Sequence, residues 1–147
     1  MNPKTPETRM NPKDKARLNA EYRAYATQVA AFVARLLGVK APRVTKITRN
    51  SGTAFSSRSE IYLPRWIFTE AHPIYRLYYI IHETAHMARG AAGWHGKEMR
   101  IAENSVMEMF GYRLMYADSN AARRPYPIGI VDLKTGWQMT GKVGEPI

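Results

Sequence analysis

The chain has no cysteine and only four histidines among its 147 residues. Without cysteine there can be no disulfide and no thiolate zinc finger, so any metal must be held by other side chains. The composition suits a reducing cytoplasm, which is the expected location. No apolar run approaches the roughly 18 residues of a membrane span. The longest lies near Leu77–Ile81, and charged or polar residues interrupt it. The first residues, Met1 to Glu7, are polar and lack an apolar h-region, so no signal peptide and no membrane partner are expected. Acidic residues are scarce too, with 12 Asp and Glu against 22 Lys and Arg.

The resulting charge of +10 is uneven. Residues 1–50 carry 11 basic and 3 acidic side chains (+8), and residues 51–147 carry 11 and 9 (+2). A basic first third suggests an anionic partner, nucleic acid first, through side chains such as Lys13, Lys15, Arg17 and Arg23. The plainer reading is a solvated face that favours solubility. The length fits one domain, and a hydrophobic fraction of 45% is normal for a globular one.

Residues 1–12 hold three prolines and read as a flexible tail. Asp14 is placed to cap a helix reaching Leu37, with Leu18, Tyr22, Tyr25, Val29, Phe32, Val33, Leu36 and Leu37 as its apolar stripe. Gly38 and Pro42 end it. Arg43–Arg49 reads as a strand, and Ala54–Arg58 and Ser59–Leu63 as one or two more, closed by Pro64. Residues 65–71 suit a helical turn. Pro73 suits the first turn of a second helix reaching about Arg89, apolar on most sides and therefore central. Gly90 and Gly93 break it. A third helix is predicted from about Lys97 to Ala117. A weak hairpin over Ile128–Leu133 and Trp137–Thr140, turning at Lys134–Gly136, closes the chain. Met87, Met99, Met107, Met109 and Met115 read as helix core filler.

Three of the four histidines fall in one window. Residues 82–86 read His-Glu-Thr-Ala-His, and His95 follows nine positions later. On a helix, His82 and His86 lie about 40° apart around the axis and about 6 Å apart along it. Both imidazoles can reach one ion, and Glu83 can reach a water held on that ion. Were the helix continuous, His95 would sit about 900° and 13.5 Å beyond His86, on the wrong face. The chain must turn, and the glycines at 90 and 93 allow this most easily.

Three imidazoles would leave one tetrahedral position for water, with Glu83 as general base. Glu103, 17 residues after His86, is a rival third ligand. If His95 is the ligand, Glu103 or Glu98 could orient a ligand imidazole instead. Tyr112, Arg113, Tyr116 and Tyr126 are candidate donors to a developing oxyanion, though each also fits a packing or surface role. His72, before Pro73, reads as a helix-start residue and not as a ligand. Tyr75, Tyr78 and Tyr79 read as packing around the central helix. Trp66, Trp94 and Trp137 could line a cleft.

At His82-Glu83-Thr84-Ala85-His86 and His95-Gly96-Lys97-Glu98-Met99 the chain resembles the SprT-like metallopeptidases, within the wider zincin group. Met99 stands where that pattern has an aromatic. The resemblance spans about residues 40–117. It implies a helix-rich α+β fold with a small, mostly antiparallel sheet beside the metal helix, and an edge strand that takes substrate backbone. It implies Zn2+ on His82, His86 and His95, Glu83 as catalyst, and a protein or peptide substrate. Some SprT-like proteins cleave proteins bound to DNA, which the basic first third would suit. Small members of this kind also occur in phages and mobile elements. The expected organisation is a tail (1–12), a catalytic domain with its basic helix (13–117) and a C-terminal extension (118–147). Two other readings use the same residues: a nucleic-acid-binding protein with a structural or vestigial zinc site, and a zinc amidase acting on a non-protein amide.

Overall fold

The computed structural model describes residues 10–89, 96–117, 126–140 and 145–146. The first helix, α1 (Pro12–Leu37), has its cap three residues ahead of the one expected at Asp14. The side-chain oxygen of Asn11 accepts the Asp14 N–H at 2.9 Å and makes Asn11 the cap. Pro12 takes the first helical position, where its missing N–H leaves nothing unpaired. Asp14 becomes the acid of the first turn. Gly38 ends α1 in the left-handed region at φ +70°, as its place in the sequence predicts.

The buried face of α1 overlaps the expected stripe but is rotated from it: Val33 is in the core and Val29, Leu36 and Leu37 pack against it. Ala26, Ala30, Val33 and Ala34 are buried, whereas Tyr25 and Phe32 are 51% and 52% exposed. Small side chains let the backbone of α1 approach its neighbours closely, and the larger ones pack at the margins. Tyr22 stacks on Phe68 at 4.5 Å between ring centroids.

Three strands follow: β1 (Arg43–Thr48), β2 (Thr53–Phe55) and β3 (Glu60–Pro64), in spatial order β1-β3-β2. A 3-10 turn, Ser56–Arg58, separates β2 from β3. β2 and β3 are antiparallel, with Ala54 opposite Ile61. β1 and β3 are parallel, with Val44 opposite Ile61. The sheet is therefore mixed, which corrects the mostly antiparallel expectation. Along β3 the period-two pattern holds, with Ile61 and Leu63 fully buried.

A single turn, α2 (Trp66–Thr69), leads to α3 (Pro73–Arg89). The Nδ1 of His72 accepts the Ile74 N–H at 3.1 Å and closes the start of α3, so His72 is a helix-start residue as expected. Every residue from Ile80 to His86 is buried. α3 is the central helix, packed against α1, β2 and the fourth helix, α4 (Lys97–Met109). Within α4, Met99 and Met107 are buried as core filler, whereas Met109 is 60% exposed.

The third helix of the sequence reading stops eight residues early. Phe110 and Gly111 (φ +90°) turn the chain, and Tyr112–Met115 forms strand β4. β4 pairs with β5 (Gly129–Asp132), which pairs with β6 (Gln138–Thr140), and β7 (Glu145–Pro146) completes the second sheet. The expected hairpin is present: the Asp132 carboxylate accepts the Lys134 N–H at 2.9 Å, and Gly136 turns at φ +78°. Leu114, Ile130 and Met139 bring this sheet into the same apolar cluster as Ala30, Ile61 and Ile81. Burying each such side chain contributes roughly 1.5–3 kcal/mol. The architecture is α+β.

Candidate metal centre

One buried helix supplies the first three groups. His82, Glu83 and His86 each offer a ligand atom, and those atoms lie within 4.8 Å of one another. The two imidazoles meet edge to face, 5.0 Å between centroids, as the i, i+4 spacing requires. His82 Nε2 stands 3.9 Å from Glu83 Oε1. All three residues are at most 5% exposed.

Burying a charge without a partner is costly, so the surroundings decide what the cluster can do. On the far side of the His82 ring, Nδ1 lies 2.5 Å from Glu103 Oε1. As a carboxylate Glu103 can only accept, so Nδ1 carries the proton and Nε2 is left with its lone pair toward Glu83. The other oxygen, Oε2, accepts the Tyr116 hydroxyl at 3.0 Å. Tyr116 in turn lies under the Arg100 guanidinium, 4.0 Å from its ring centroid. Glu103 is fully buried, and both its oxygens are engaged.

Between the two sequence-level roles for Glu103, this geometry matches the orienting one: a carboxylate behind a ligand imidazole fixes its tautomer. Glu98 is exposed in the first turn of α4. Nothing local in the sequence signals that Glu103 should meet His82, 21 residues away. The part of Tyr116 has no such signal either. It was one of four oxyanion candidates, and its hydroxyl is committed to Glu103.

The other three candidates separate clearly. Arg113 is exposed and pairs with Glu108 at 3.5 Å. Tyr112 packs against the apolar cluster from β4. Tyr126 lies beside the site, its ring 5.1 Å from that of His82. Burial raises its phenol, with the negative charges of Glu83 and Glu103 adding to the effect. His95, Gly90, Gly93 and Trp94 lie outside the described residues.

Burial pushes the Glu83 carboxyl up to about 7, against the opposing pull of His82. On His82, burial disfavours the charged form, but the Glu103 hydrogen bond and the two carboxylates outweigh it and raise the imidazole. Glu83 Oε2 is buried and meets no hydrogen-bond partner among the described residues. A carboxylate oxygen of Glu83 and a ring nitrogen from each of His82 and His86 thus face one another in one buried place. The donor set, two imidazoles and a carboxylate, could hold a divalent metal ion.

No family model, curated protein or solved structure matches the chain.

Proposed function

We propose that the protein is a zinc-dependent metallopeptidase of the SprT-like kind, cutting peptide bonds with Glu83 as general base. The observation that carries this reading is the set His82–Glu83–His86 with Glu103 behind His82. A purely structural site has no use for a buried, unsatisfied carboxylate oxygen beside its ligands. General-base work needs one, with a proton affinity near neutrality.

His82 and His86 would hold the ion, with His95 as the proposed third ligand. A bound zinc ion would supply a Lewis acid that lowers the pKa of water to about 7. Glu83 takes the proton from the attacking water and passes it to the leaving amine. Glu103 keeps the His82 ring in place and its Nδ1 protonated, and Tyr116 holds Glu103. Tyr126, whose ring lies beside that of His82, is our candidate to donate to the oxyanion that develops on the former carbonyl.

Glu83→Gln keeps the shape of the site and removes the base. The expected result is retained zinc and loss of casein cleavage by at least about a hundredfold, at the low end of general-base contributions. Full activity in this variant would sink the assignment.

A nucleic-acid partner has support of its own. α1 does not project from the fold but packs against β1 and α3. This brings Arg23 of α1 and Arg43 of β1 into one shallow groove. Lys13, Arg17, Lys46 and Arg49 are exposed on the same two elements or just beyond them. We read these exposed basic side chains as phosphate contacts that would bring the peptidase to DNA-associated protein.

A further inference from the structure

Beside the metal centre lies a second feature that neither the catalyst nor the ligands account for. It is a cavity of about 350 Å³ walled by Trp66, Tyr75, Tyr79 and Tyr126, with Asn50 and Ser51 at its rim. Among the described residues that line it there is no Lys, Arg, Asp or Glu. Its size is at the low end of the roughly 300–1,000 Å³ of small-molecule clefts.

The walls are fixed against one another. Trp66 stands edge-on to Tyr79 at 5.6 Å and tilted to Tyr75 at 5.9 Å. The indole N–H donates to the Asn50 carbonyl at 2.9 Å, and the Tyr79 hydroxyl accepts the Gly52 N–H at 2.8 Å. Gly52 has no room for a side chain, because a Cβ there would lie 2.7 Å from the Tyr79 ring. The polar atoms of Trp66 and Tyr79 are thus turned into the wall, and ring faces and edges remain to meet a ligand.

Position ties the cavity to the site. Tyr75, Tyr79 and Glu83 follow one another at i, i+4 and i+8, so they share one face of α3 at about 6 Å per step. Tyr126 belongs to both places, lining the cavity while its ring packs on His82. Asn50, Ser51 and Gly52 run directly into β2, an edge strand of the first sheet among the described residues. An extended peptide can pair with such an edge and present alternate side chains to pockets.

We propose that this aromatic cavity is a specificity subsite that takes one large apolar or aromatic side chain of the substrate, one helical turn from Glu83. The peptide identity of the ligand rests on the peptidase reading, while the binding of an aromatic group does not. The described walls, ring-lined and uncharged, favour such a side chain over Asp, Glu or Lys, whose charge would find no partner among them.

Two measurements on the full chain separate the two ideas. In the first, N-acetyl-phenylalaninamide and N-acetyl-alaninamide are titrated into nitrogen-15-labelled protein, and the Trp66 indole N–H is followed by NMR. The phenylalanine probe is expected to shift it and bind at least about tenfold more tightly than the alanine probe. Ser51→Trp, at an exposed rim position, fills the cavity and abolishes that shift. Trp66→Leu, followed through the amides of residues 50–52, weakens binding if Ser51→Trp fails to fold. In the second measurement, zinc-loaded protein cuts a mixed peptide pool, and aromatic residues are expected at one position next to the cut. Equal binding of the two probes, or cleavage without aromatic preference, overturns the subsite. Binding of the phenylalanine probe with no cleavage of any peptide supports the subsite and overturns the peptidase.

Discussion

Replacing Glu103 with Gln tests how the site is held together. The substitution keeps the size of the side chain and removes its charge. Gln Oε1 can still accept from His82 Nδ1, and the Tyr116 hydroxyl can rotate to accept from the amide, so the fold should persist. What changes is the strength of the contact behind His82, now 2.5 Å from a carboxylate oxygen. Hydrogen bonds to charged groups contribute about 1.5–3 kcal/mol, against about 1 kcal/mol for neutral ones. The loss of roughly 1–2 kcal/mol falls partly on the fold and partly on the basicity of the imidazole. Residues in this position usually change metal affinity by about 10- to 100-fold, or about 1.4–2.7 kcal/mol. Competition against a chromophoric zinc chelator measures this directly, with thermal unfolding as the control for stability. Unchanged affinity would refute the orienting role. Loss of bound zinc as complete as in His82→Ala would instead make Glu103 a ligand and restore the rivalry with His95.

Other perturbations have equally definite outcomes. Thr84 is fully buried, and its hydroxyl meets no partner among the described residues. Thr84→Val should therefore leave stability unchanged or raise it by about 1 kcal/mol, and a fall in Tm of several degrees would expose a missing partner. Tyr75 is held up to about 12, first by burial and then by the charges of Tyr126 and Glu103. Its neutral form is favoured in the folded chain, so this stabilisation is full below pH 10 and is lost as pH rises from 10 through 12, by about 3 kcal/mol at most. Tyr75→Phe should flatten the fall in Tm across that window, and an unchanged slope would locate the effect elsewhere. DNA binding by the basic side chains should weaken with salt, log K falling by about 0.9 per phosphate neutralised. Joint replacement of Lys13, Arg17 and Arg23 by Gln should reduce that slope in fluorescence anisotropy. A slope unaffected by the substitutions would leave those charges to solubility.

The parts of the fold that follow from local periodicity and punctuation were legible in the sequence. α3, its entry at Pro73, the end of α1 at Gly38 and the hairpin at Asp132–Gly136 each have a cause within a few residues. What was not legible depends on partners far along the chain. The helical period of Ile101, Val106, Met109 and Phe110 runs on into Leu114, but Leu114 pairs with Ile130 of β5 and becomes strand. The large side chains of α1 place its buried face only in part: Val33, Val29, Leu36 and Leu37 meet the core, but close packing against β1 and α3 centres the face on Ala26 and Ala30 and leaves Tyr25 and Phe32 exposed. The parallel pairing of β1 with β3 has no local signature at all. At the site, His82, Glu83 and His86 were readable because one helical turn joins them. Glu103 was visible only as one of two alternatives, and of the cavity only Trp66 was foreseen as a cleft-lining residue, since the rest is assembled from a loop, a turn and a helix.

The chain of contacts from His82 through Glu103 to Tyr116 joins α3, α4 and the residue that follows β4. It therefore makes the candidate metal centre and the second sheet thermodynamically reciprocal. Whatever binds His82 in its oriented form also favours the arrangement in which Tyr116 is docked, and by the same amount docking Tyr116 favours that binding. Zinc should slow amide hydrogen exchange in β4 and β5, strands that contain none of its proposed ligands. A partner that pries the second sheet away would release the metal without approaching it.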